Sequence, residues 1–314
     1  MATRSRYPAD RGLTAHMLLT VFLLGLLYAI LIAALVLAKV DLVFILVIGF
    51  GILFAQYYFS DKIALYSMGG KIVTPQQQPQ LHAVVDRLVA MANMPKPRVA
   101  IAQTDIPNAF ATGRDQKHAV VCVTTGLLRR LNEPEVEAVL SHELSHVAHR
   151  DVAVMTIASF LGIIAGLMTR MFMLMGFFGG YGNNRGRGGG GGGGGQIALI
   201  EMGGLLFSAL LYAISFILIR ALSRYRELAA DRSGAILIGQ PALLAQALVK
   251  VSGEISRIPS RDLRSAEHFN AFYFAPAIAP GMSLSSLFST HPPLQKRLDQ
   301  LAKLDAEMRR NPVA

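Results

Sequence analysis

The hydrophobic positions of the chain are concentrated in four long runs, arranged as two pairs. In the first pair, Met17–Ala38 has 22 uncharged residues and Leu42–Phe59 has 18, with only three residues between them. A helix that crosses a bilayer needs about 20 such residues. The pattern predicts a transmembrane hairpin over residues 17–59, preceded by a tail of residues 1–16. A cleaved signal peptide fits the first run less well, because the run is longer than an ordinary signal core and another follows almost at once.

The second pair of runs, Val152–Phe178 and Ile197–Ile219, predicts a second transmembrane hairpin over residues 152–220. Arg170 interrupts the third run. The span therefore either ends at Thr169 or continues while the arginine side chain reaches toward the membrane surface.

The two runs of the second hairpin are joined by residues 179–195, which end in eight consecutive glycines. Such a segment has no side chains to bury and is typical of a flexible linker. A phosphate-binding loop would instead need a strand before it and a helix start after it. We expect an outer loop here.

Outside the hairpins, the pattern changes to the shorter periods of a folded domain, made of residues 60–151 and 221–314. Apolar residues at helical spacing and short β-like runs predict its elements. The predicted helices lie around Leu81–Val89, Glu133–Arg150, Pro241–Ile258 and Pro293–Arg310, and the predicted strands are Arg98–Ala102 and Ala119–Thr124, joined by a loop that contains NAFATG. The expected fold is mainly α-helical with a small β-sheet.

The composition agrees with a membrane protein. Hydrophobic residues make up 53% of the chain and charged residues only 16%, against roughly 25% charged in an ordinary soluble domain. The net charge of +10 is compatible with nucleic acid, with an anionic membrane surface or with positive-inside asymmetry. The apolar runs favour the last two and argue against nucleic acid.

The distribution of basic residues predicts the orientation. Most lysines and arginines near the ends of the runs lie on the side shared by residues 1–16, 60–151 and 221–314. This side is therefore predicted to be cytoplasmic. The single cysteine, Cys122, excludes an intrachain disulfide and lies in the apolar stretch AVVCV, so a buried structural thiol in a reducing compartment is expected.

His142, Glu143 and His146 form an HExxH motif on a predicted helix. Because residues four apart lie on one face of a helix, both imidazoles can bind a single Zn²⁺. Glu143 is then placed to act as a general base on water. A solvated helix face is the alternative, but an apolar stripe on another side of the helix favours a buried helix with the histidines on its polar face.

His149 returns to nearly the same helix face, one turn beyond His146. In metzincins the third histidine comes six residues after the second and follows a glycine turn. His149 comes only three residues later, still on the rigid helix. We expect it to support the ligands from outside or to lie at an interface rather than to bind the metal.

A third protein ligand is predicted 81 residues after His146. Glu227 and Asp231 make an ExxxD pattern just after the fourth run. In HExxH enzymes with a glutamate ligand, this glutamate lies on a second helix, and the aspartate can accept a hydrogen bond from a metal-binding imidazole. A salt bridge with Arg224 or Arg232 is the alternative for an isolated ExxxD. The inserted hairpin explains the long separation.

The chain resembles the HtpX-type membrane zinc metallopeptidases, which are related to the CAAX prenyl proteases. The resemblance covers nearly the whole chain: the two hairpins, NAFATG at 108–113, SHELSHVAHRD at 141–151, SRYRELAADRSG at 223–234 and LFSTHPPLQKRL at 287–298. It implies a multi-pass membrane protein with a gluzincin-like cytoplasmic metalloprotease domain. The long glycine run departs from the family and affects only the outer loop.

The resemblance implies one Zn²⁺ per subunit on His142, His146 and Glu227, with Glu143 as the general base. It also implies cleavage of misfolded or damaged membrane proteins, or of unfolded polypeptides, at the inner membrane of a bacterium as part of envelope quality control. A larger membrane protease is the candidate partner.

Further residues are expected to contact the substrate. By resemblance, Asn108, with Ala109 and Phe110 after it, belongs to a motif that holds the peptide backbone, where an extended substrate can add as a strand. By resemblance too, His291 assists the oxyanion, and the two prolines after it rigidify a helix start. A plain helix-cap role is the alternative for His291. Arg297, nearly two turns farther along, is the last predicted substrate contact.

Other functions fit the sequence less well. An intramembrane protease would place HExxH inside an apolar run, whereas the polar sequences NEPEVEAV and AHRD flank it here. A transporter with a structural metal site would need polar residues along the spans, where Arg170 and Glu201 are almost alone. A CAAX-type or other specific peptide-processing protease is the alternative with the same chemistry.

Overall fold

The computed structural model describes residues 11–37, 42–182, 193–257 and 291–310 of the 314-residue chain. These residues are mainly helical, with one four-stranded sheet. They fall into two compact units, one drawn from residues 1–18, 54–155 and 220–314 and the other from residues 19–53 and 156–219.

The helices and strands are numbered here in chain order. The helices are α1 (Arg11–Leu37), α2 (Leu42–Tyr58), α3 (Ser60–Ser67), α4 (Pro79–Ala92), α5 (Thr125–Arg130), α6 (Glu133–Ala148), α7 (Asp151–Gly182), α8 (Gly193–Ile238), α9 (Pro241–Ser256) and α10 (Leu294–Arg310). The strands are β1 (Gly70–Ile72), β2 (Arg98–Ala102), β3 (Ala109–Thr112) and β4 (Val120–Thr124), with a 3₁₀ turn at Gln116–His118.

Within the described residues, three helices are long and apolar enough to cross a membrane: Thr14–Leu37 in α1, Asp151–Leu174 in α7 and Met202–Ile238 in α8. They contain most of the first, third and fourth predicted runs. Helix α2 coincides with the second run, but it has only 17 residues. The protein is therefore a membrane protein, and the fourth crossing stays a prediction.

Both helices of the second hairpin extend beyond the predicted runs. Helix α7 continues through Arg170 to Gly182, so the helix does not end at Thr169. Helix α8 already begins at Gly193, so the helices take residues from both ends of the predicted loop at 179–195. A helix that an apolar run has started adds each glycine at a cost of only about 1 kcal/mol relative to alanine. The middle of that loop lies outside the described residues.

Helix α8 holds both the fourth run and the ExxxD pattern in one continuous helix of 46 residues. The pattern was expected just after the run, on a helix other than the HExxH helix. No glycine or proline occurs between Gly204 and Gly234, and without a breaker the helix continues.

The sheet has the strand order β1-β2-β4-β3, with β2 and β4 parallel and the two outer strands antiparallel to their neighbours. Strands β2 and β4 are the two that the sequence predicts. The NAFATG segment, expected to be a loop, instead contains the edge strand β3. A strand as short as Ala109–Thr112 has too few apolar alternations to be recognised, since its conformation comes from pairing with β4.

The sheet is covered on both faces. On one face, Ala64 of α3 packs with Ala100, Phe110 and Cys122. Cys122 is fully buried, as predicted, and burial raises the pKa of its thiol to about 12. On the other face, α4 and α6 pack on the sheet, and α9 and α10 follow behind them in the main hydrophobic core.

The helices of this unit end close to their predicted limits. Helix α6 starts with a capping box in which Asn132 and Glu135 each accept a hydrogen bond from the other's backbone N–H. It ends at Ala148 rather than Arg150, because Arg150 has a left-handed backbone with φ of 56°. The Ser- and Phe-rich stretch at 259–290 lies outside the described residues.

Candidate active site

The HExxH residues lie on the buried half of α6. His142 is fully buried, and Glu143 is only 4% exposed. The Nε2 atoms of His142 and His146 lie 3.2 Å apart. The spacing of four residues thus brings both imidazoles to one point, as the sequence predicts.

Helix α8 approaches α6 closely at Gly234. A Cβ atom at this position would lie 2.8 Å from the backbone nitrogen of His142, too close for any side chain. Glycine therefore permits the close packing that brings Glu227, two turns earlier on α8, to the histidines.

The three predicted ligands form one cluster. Among the described residues, His142, His146 and Glu227 are the group of side chains able to hold a metal ion together. Glu227 Oε2 lies 3.6 Å from Nε2 of His142, and Glu227 Oε1 lies 3.3 Å from Nε2 of His146. Ligand atoms at roughly 2.0–2.1 Å from a tetrahedral zinc are about 3.3 Å apart. The cluster therefore has the dimensions of a zinc site.

Each imidazole has a carboxylate on its other nitrogen. Nδ1 of His142 lies 2.9 Å from Asp231, and Nδ1 of His146 is hydrogen-bonded to Asp151 at 2.6 Å. A carboxylate at Nδ1 keeps the proton there and turns Nε2 toward the metal. Both aspartates are paired in turn, Asp231 with Arg297 and Asp151 with Arg226.

The buried charged groups of the site have a net negative charge that a divalent cation can balance. Four carboxylates and two guanidinium groups are buried among the described residues of the site: Glu143, Asp151, Glu227, Asp231, Arg226 and Arg297. A metal ion binds neutral imidazoles, and with neutral histidines this set carries two uncompensated negative charges. Burial alone would lower the pKa of His146, but hydrogen bonds to Asp151 and Glu227 raise it to about 10. A Zn²⁺ ion balances the charge.

Glu143 faces the same space from α6. Its Oε2 accepts a hydrogen bond of 3.1 Å from the backbone N–H of Ala111 in β3. Burial raises the pKa of Glu143 above its usual value, although positive charge on the two histidines opposes this effect. A carboxylate with a raised pKa beside the metal ligands is suited to accept and return a proton.

Strand β3 offers backbone groups to this space. Asn108 uses its own N–H and C=O to pair with Thr124, and Phe110 is opposite Cys122 in the register. By the alternation of an antiparallel pair, Ala109 and Ala111 direct their backbone groups away from β4. All three predicted substrate contacts are buried: Asn108, Ala109 and Phe110 are 1%, 0% and 3% exposed, whereas Ala111 is half-buried.

The two C-terminal candidates have contacts that the sequence did not predict. Nδ1 of His291 is hydrogen-bonded to Glu227 Oε2 at 2.9 Å, and α10 begins only at Leu294. His291 therefore contacts a metal ligand, three residues before α10 begins. Arg297, expected at the substrate, is 1% exposed and makes two hydrogen bonds, of 2.6 and 2.7 Å, to Asp231.

His149 is not part of the metal cluster. It forms the C-cap of α6 and is exposed; its predicted role outside the ligand set stays a prediction. Four residues of the site were not predicted from the sequence: Ala111, Asp151, Arg226 and Gly234. Each lies within one of the sequence motifs, but its contacts depend on how the helices and β3 pack.

These features define an HExxH zinc metallopeptidase with a glutamate as its third ligand. The chain belongs to peptidase family M48, whose model matches residues 75–305.

Two relatives named as HtpX protease homologs align with this chain over almost their whole length. The chain is 53% identical to Protease HtpX homolog 1 of Streptomyces coelicolor, over 99% of this chain and 98% of that protein. It is 50% identical to the Protease HtpX homolog of Moorella thermoacetica, over 97% and 98%. The crystal structure of S. mikatae Ste24p shares the fold, with a TM-score of 0.53 and 19% identity over 88% of this chain and 62% of that one. The resemblance found in the sequence is confirmed, and the transporter alternative is excluded.

Proposed function

We propose that this membrane metallopeptidase is an endopeptidase that cleaves unfolded or damaged membrane proteins on the cytoplasmic side of a bacterial inner membrane. The observation that carries the proposal is the hydrogen bond from Ala111 to Glu143, because it joins a free strand edge to the general base. The residues of the site then account for each step.

The substrate binds as an added strand along the outer edge of β3. Ala111 keeps its N–H on Glu143 and offers its carbonyl to an extended peptide, which places a scissile bond beside Glu143. Recognition through the backbone gives little selectivity for side chains. This property suits an enzyme that removes damaged proteins of many sequences.

Glu143 performs the proton transfers. It takes a proton from the attacking water and passes it to the leaving amine. When bound, Zn²⁺ on His142, His146 and Glu227 supplies a Lewis acid that activates water and polarises the scissile carbonyl. His291 orients Glu227 through Nδ1, and we assign its imidazole a share in stabilising the oxyanion.

The cellular role rests on the apolar helices and on charge. Helix α8 joins an apolar stretch directly to Glu227, so the site belongs to a membrane-anchored chain. The excess of basic residues beside the runs supports a cytoplasmic site. Envelope quality control, with a larger membrane protease as partner, is the role that fits such a site.

The test is the Glu143→Gln variant, purified in detergent beside Glu133→Gln, a control on the exposed side of the same helix. Loss of the general base should lower the rate of casein cleavage by at least about 10²-fold. Zinc content should stay at the wild-type value in both variants, and Glu133→Gln should retain activity. Cleavage by Glu143→Gln at the wild-type rate would refute the proposed role.

A further inference from the structure

Helix α3 has an exposed face that nothing in the described part of the chain covers. This outer face consists of Phe59, Lys62, Ile63 and Tyr66, which share one side of the helix by their spacing. Phe59, Ile63 and Tyr66 are 43%, 55% and 90% exposed. The ammonium group of Lys62 lies 5.5 Å from the centre of the Phe59 ring. The face therefore combines large apolar side chains with a basic group.

The opposite face of α3 fixes the helix against the sheet. Asp61 is 5% exposed and accepts a hydrogen bond of 2.7 Å from Arg98 of β2. Ala64 is 1% exposed and packs in the cluster with Cys122. Because this inner face is anchored, α3 cannot rotate to bury Phe59, Ile63 and Tyr66.

Strand β1 extends the apolar surface beside α3. A Cβ atom on Gly70 would meet Leu65 of α3, so Gly70 faces α3. Ile72, two residues later, lies on the same side of the sheet and is 47% exposed. Arg98 is paired with the buried Asp61, and Arg114, over the Tyr58 ring, is paired with Asp115. Lys62 therefore leaves a positive excess on this surface.

The position of α3 in the chain indicates what covers this face. The apolar helix α2 ends at Tyr58, and α3 begins at Ser60 with only Phe59 between them. Aromatic, aliphatic and basic residues on one face of a short helix are typical of segments that lie in the membrane interface. A surface that binds a protein partner could lie anywhere on the domain, whereas the outer face of α3 directly follows an apolar helix. Its position therefore favours lipid.

We propose that the outer face of α3 lies in the headgroup layer of the membrane, with Lys62 on anionic lipid. This contact is separate from the catalytic site and does not depend on the proposed function. The consequence for catalysis does rest on the proposed function. Helix α3 packs on β1 and β3, so an α3 bound to lipid holds the substrate-binding edge of β3 next to the leaflet. Two further contacts tie the β3–β4 turn to the end of α2, since Tyr57 donates a hydrogen bond of 2.6 Å to the carbonyl of Arg114 and Arg114 lies over the Tyr58 ring.

A tryptophan reporter can test the lipid contact directly, because the chain contains no tryptophan. Tyr66→Trp would be made in the full chain with Glu143→Gln to prevent self-cleavage. Phe22→Trp on α1 is the membrane reference. Val249→Trp, 50% exposed on α9, is the matched reference on the far side of the same unit. Each is reconstituted in phosphatidylcholine and phosphatidylglycerol vesicles, with or without lipids brominated near the headgroup end of the acyl chains.

The expected result is that brominated lipid quenches Tyr66→Trp several-fold more than Val249→Trp, approaching Phe22→Trp. A larger share of phosphatidylglycerol should increase this quenching, and Lys62→Glu should remove the increase. Quenching no greater than that of Val249→Trp would overturn the proposal. Blue-shifted emission without quenching would overturn it too, since protein would then cover the face. Quenching that does not change with the share of phosphatidylglycerol would refute the contact between Lys62 and anionic lipid.

Discussion

At the scale of the residue, both zinc-binding imidazoles are held by the same kind of support. His142 contacts Asp231, which pairs with Arg297, and His146 contacts Asp151, which pairs with Arg226. In each case an arginine compensates the buried charge of the aspartate, and the aspartate orients the ring. Arg297 and Arg226 therefore support the two imidazoles through these aspartates.

The support of His142 can be tested by replacing the aspartate. Asp231→Asn keeps the shape but weakens the orienting charge, so zinc affinity should fall by about 10- to 100-fold. Zinc is titrated against a competing chelator, and thermal melting checks the fold. Asp299→Asn, an exposed change on α10, is the control and should bind zinc normally. Unchanged zinc affinity in folded Asp231→Asn would mean that Asp231 does not orient His142.

The sequence predicts the three ligands and Glu143 because their chemistry requires fixed spacings on a helix. It does not predict contacts that depend on packing. Arg297 is predicted to contact the substrate, and the approach of α10 to α8 also buries it against Asp231. His291 likewise contacts Glu227, a residue 64 positions away that no local pattern connects to it.

At the scale of the element, strand β3 connects the fold to the chemistry. One edge of it pairs with β4, and the other supplies the N–H of Ala111 to Glu143. The register decides which alanines face outward. A shift of one residue would turn the backbone groups of Asn108 and Phe110 toward the site instead.

The role of this edge can be tested at Ala111. Ala111→Pro removes the N–H that donates to Glu143. It removes no hydrogen bond to β4, and proline is tolerated on the free side of an edge strand. We expect casein cleavage to fall at least about tenfold, the value of one lost hydrogen bond to a charged group, with zinc content unchanged. Ala111→Ser keeps the N–H and should retain activity. Equal activity of the two variants would contradict a role for this N–H.

Elements with strong periodicity or apolar content follow from the sequence. Helices α4, α6, α9 and α10 and strands β2 and β4 lie within a few residues of their predicted limits. The two outer strands were missed because Gly70–Ile72 and Ala109–Thr112 are short and become strands only through their neighbours. The sequence did not predict that α8 continues past the fourth run. The mean hydropathy falls after Ile219, but the helix does not end there.

At the scale of the whole molecule, the chain passes between apolar and polar segments several times, and its orientation can be measured. Cys122 is fully buried, with the pKa of its thiol raised to about 12, so an aqueous maleimide should not label it. Reporter cysteines can therefore be added at Lys303 on α10 and at Asn184 in the glycine-rich segment. In spheroplasts, an impermeant maleimide should label Asn184→Cys at once and Lys303→Cys only after lysis. The reverse pattern would contradict a cytoplasmic site.

The zinc ligand Glu227 joins two parts of the molecule that are 81 residues apart, with an apolar hairpin between them. Only the packing of α8 on α6 brings its carboxylate to the histidines. The two imidazoles that would remain without it do not make the three-ligand site of a catalytic zinc. Zinc binding by this site therefore depends on Glu227.

The most direct measurement is zinc per mole of purified protein for wild type, Glu227→Ala and the exposed control Glu307→Ala, with thermal melting to check the fold. Wild type and Glu307→Ala should each bind one zinc per chain, because their ligand set is intact. Glu227→Ala should lose most of its zinc together with its activity. Full zinc in a folded Glu227→Ala protein would show that Glu227 is not the third ligand.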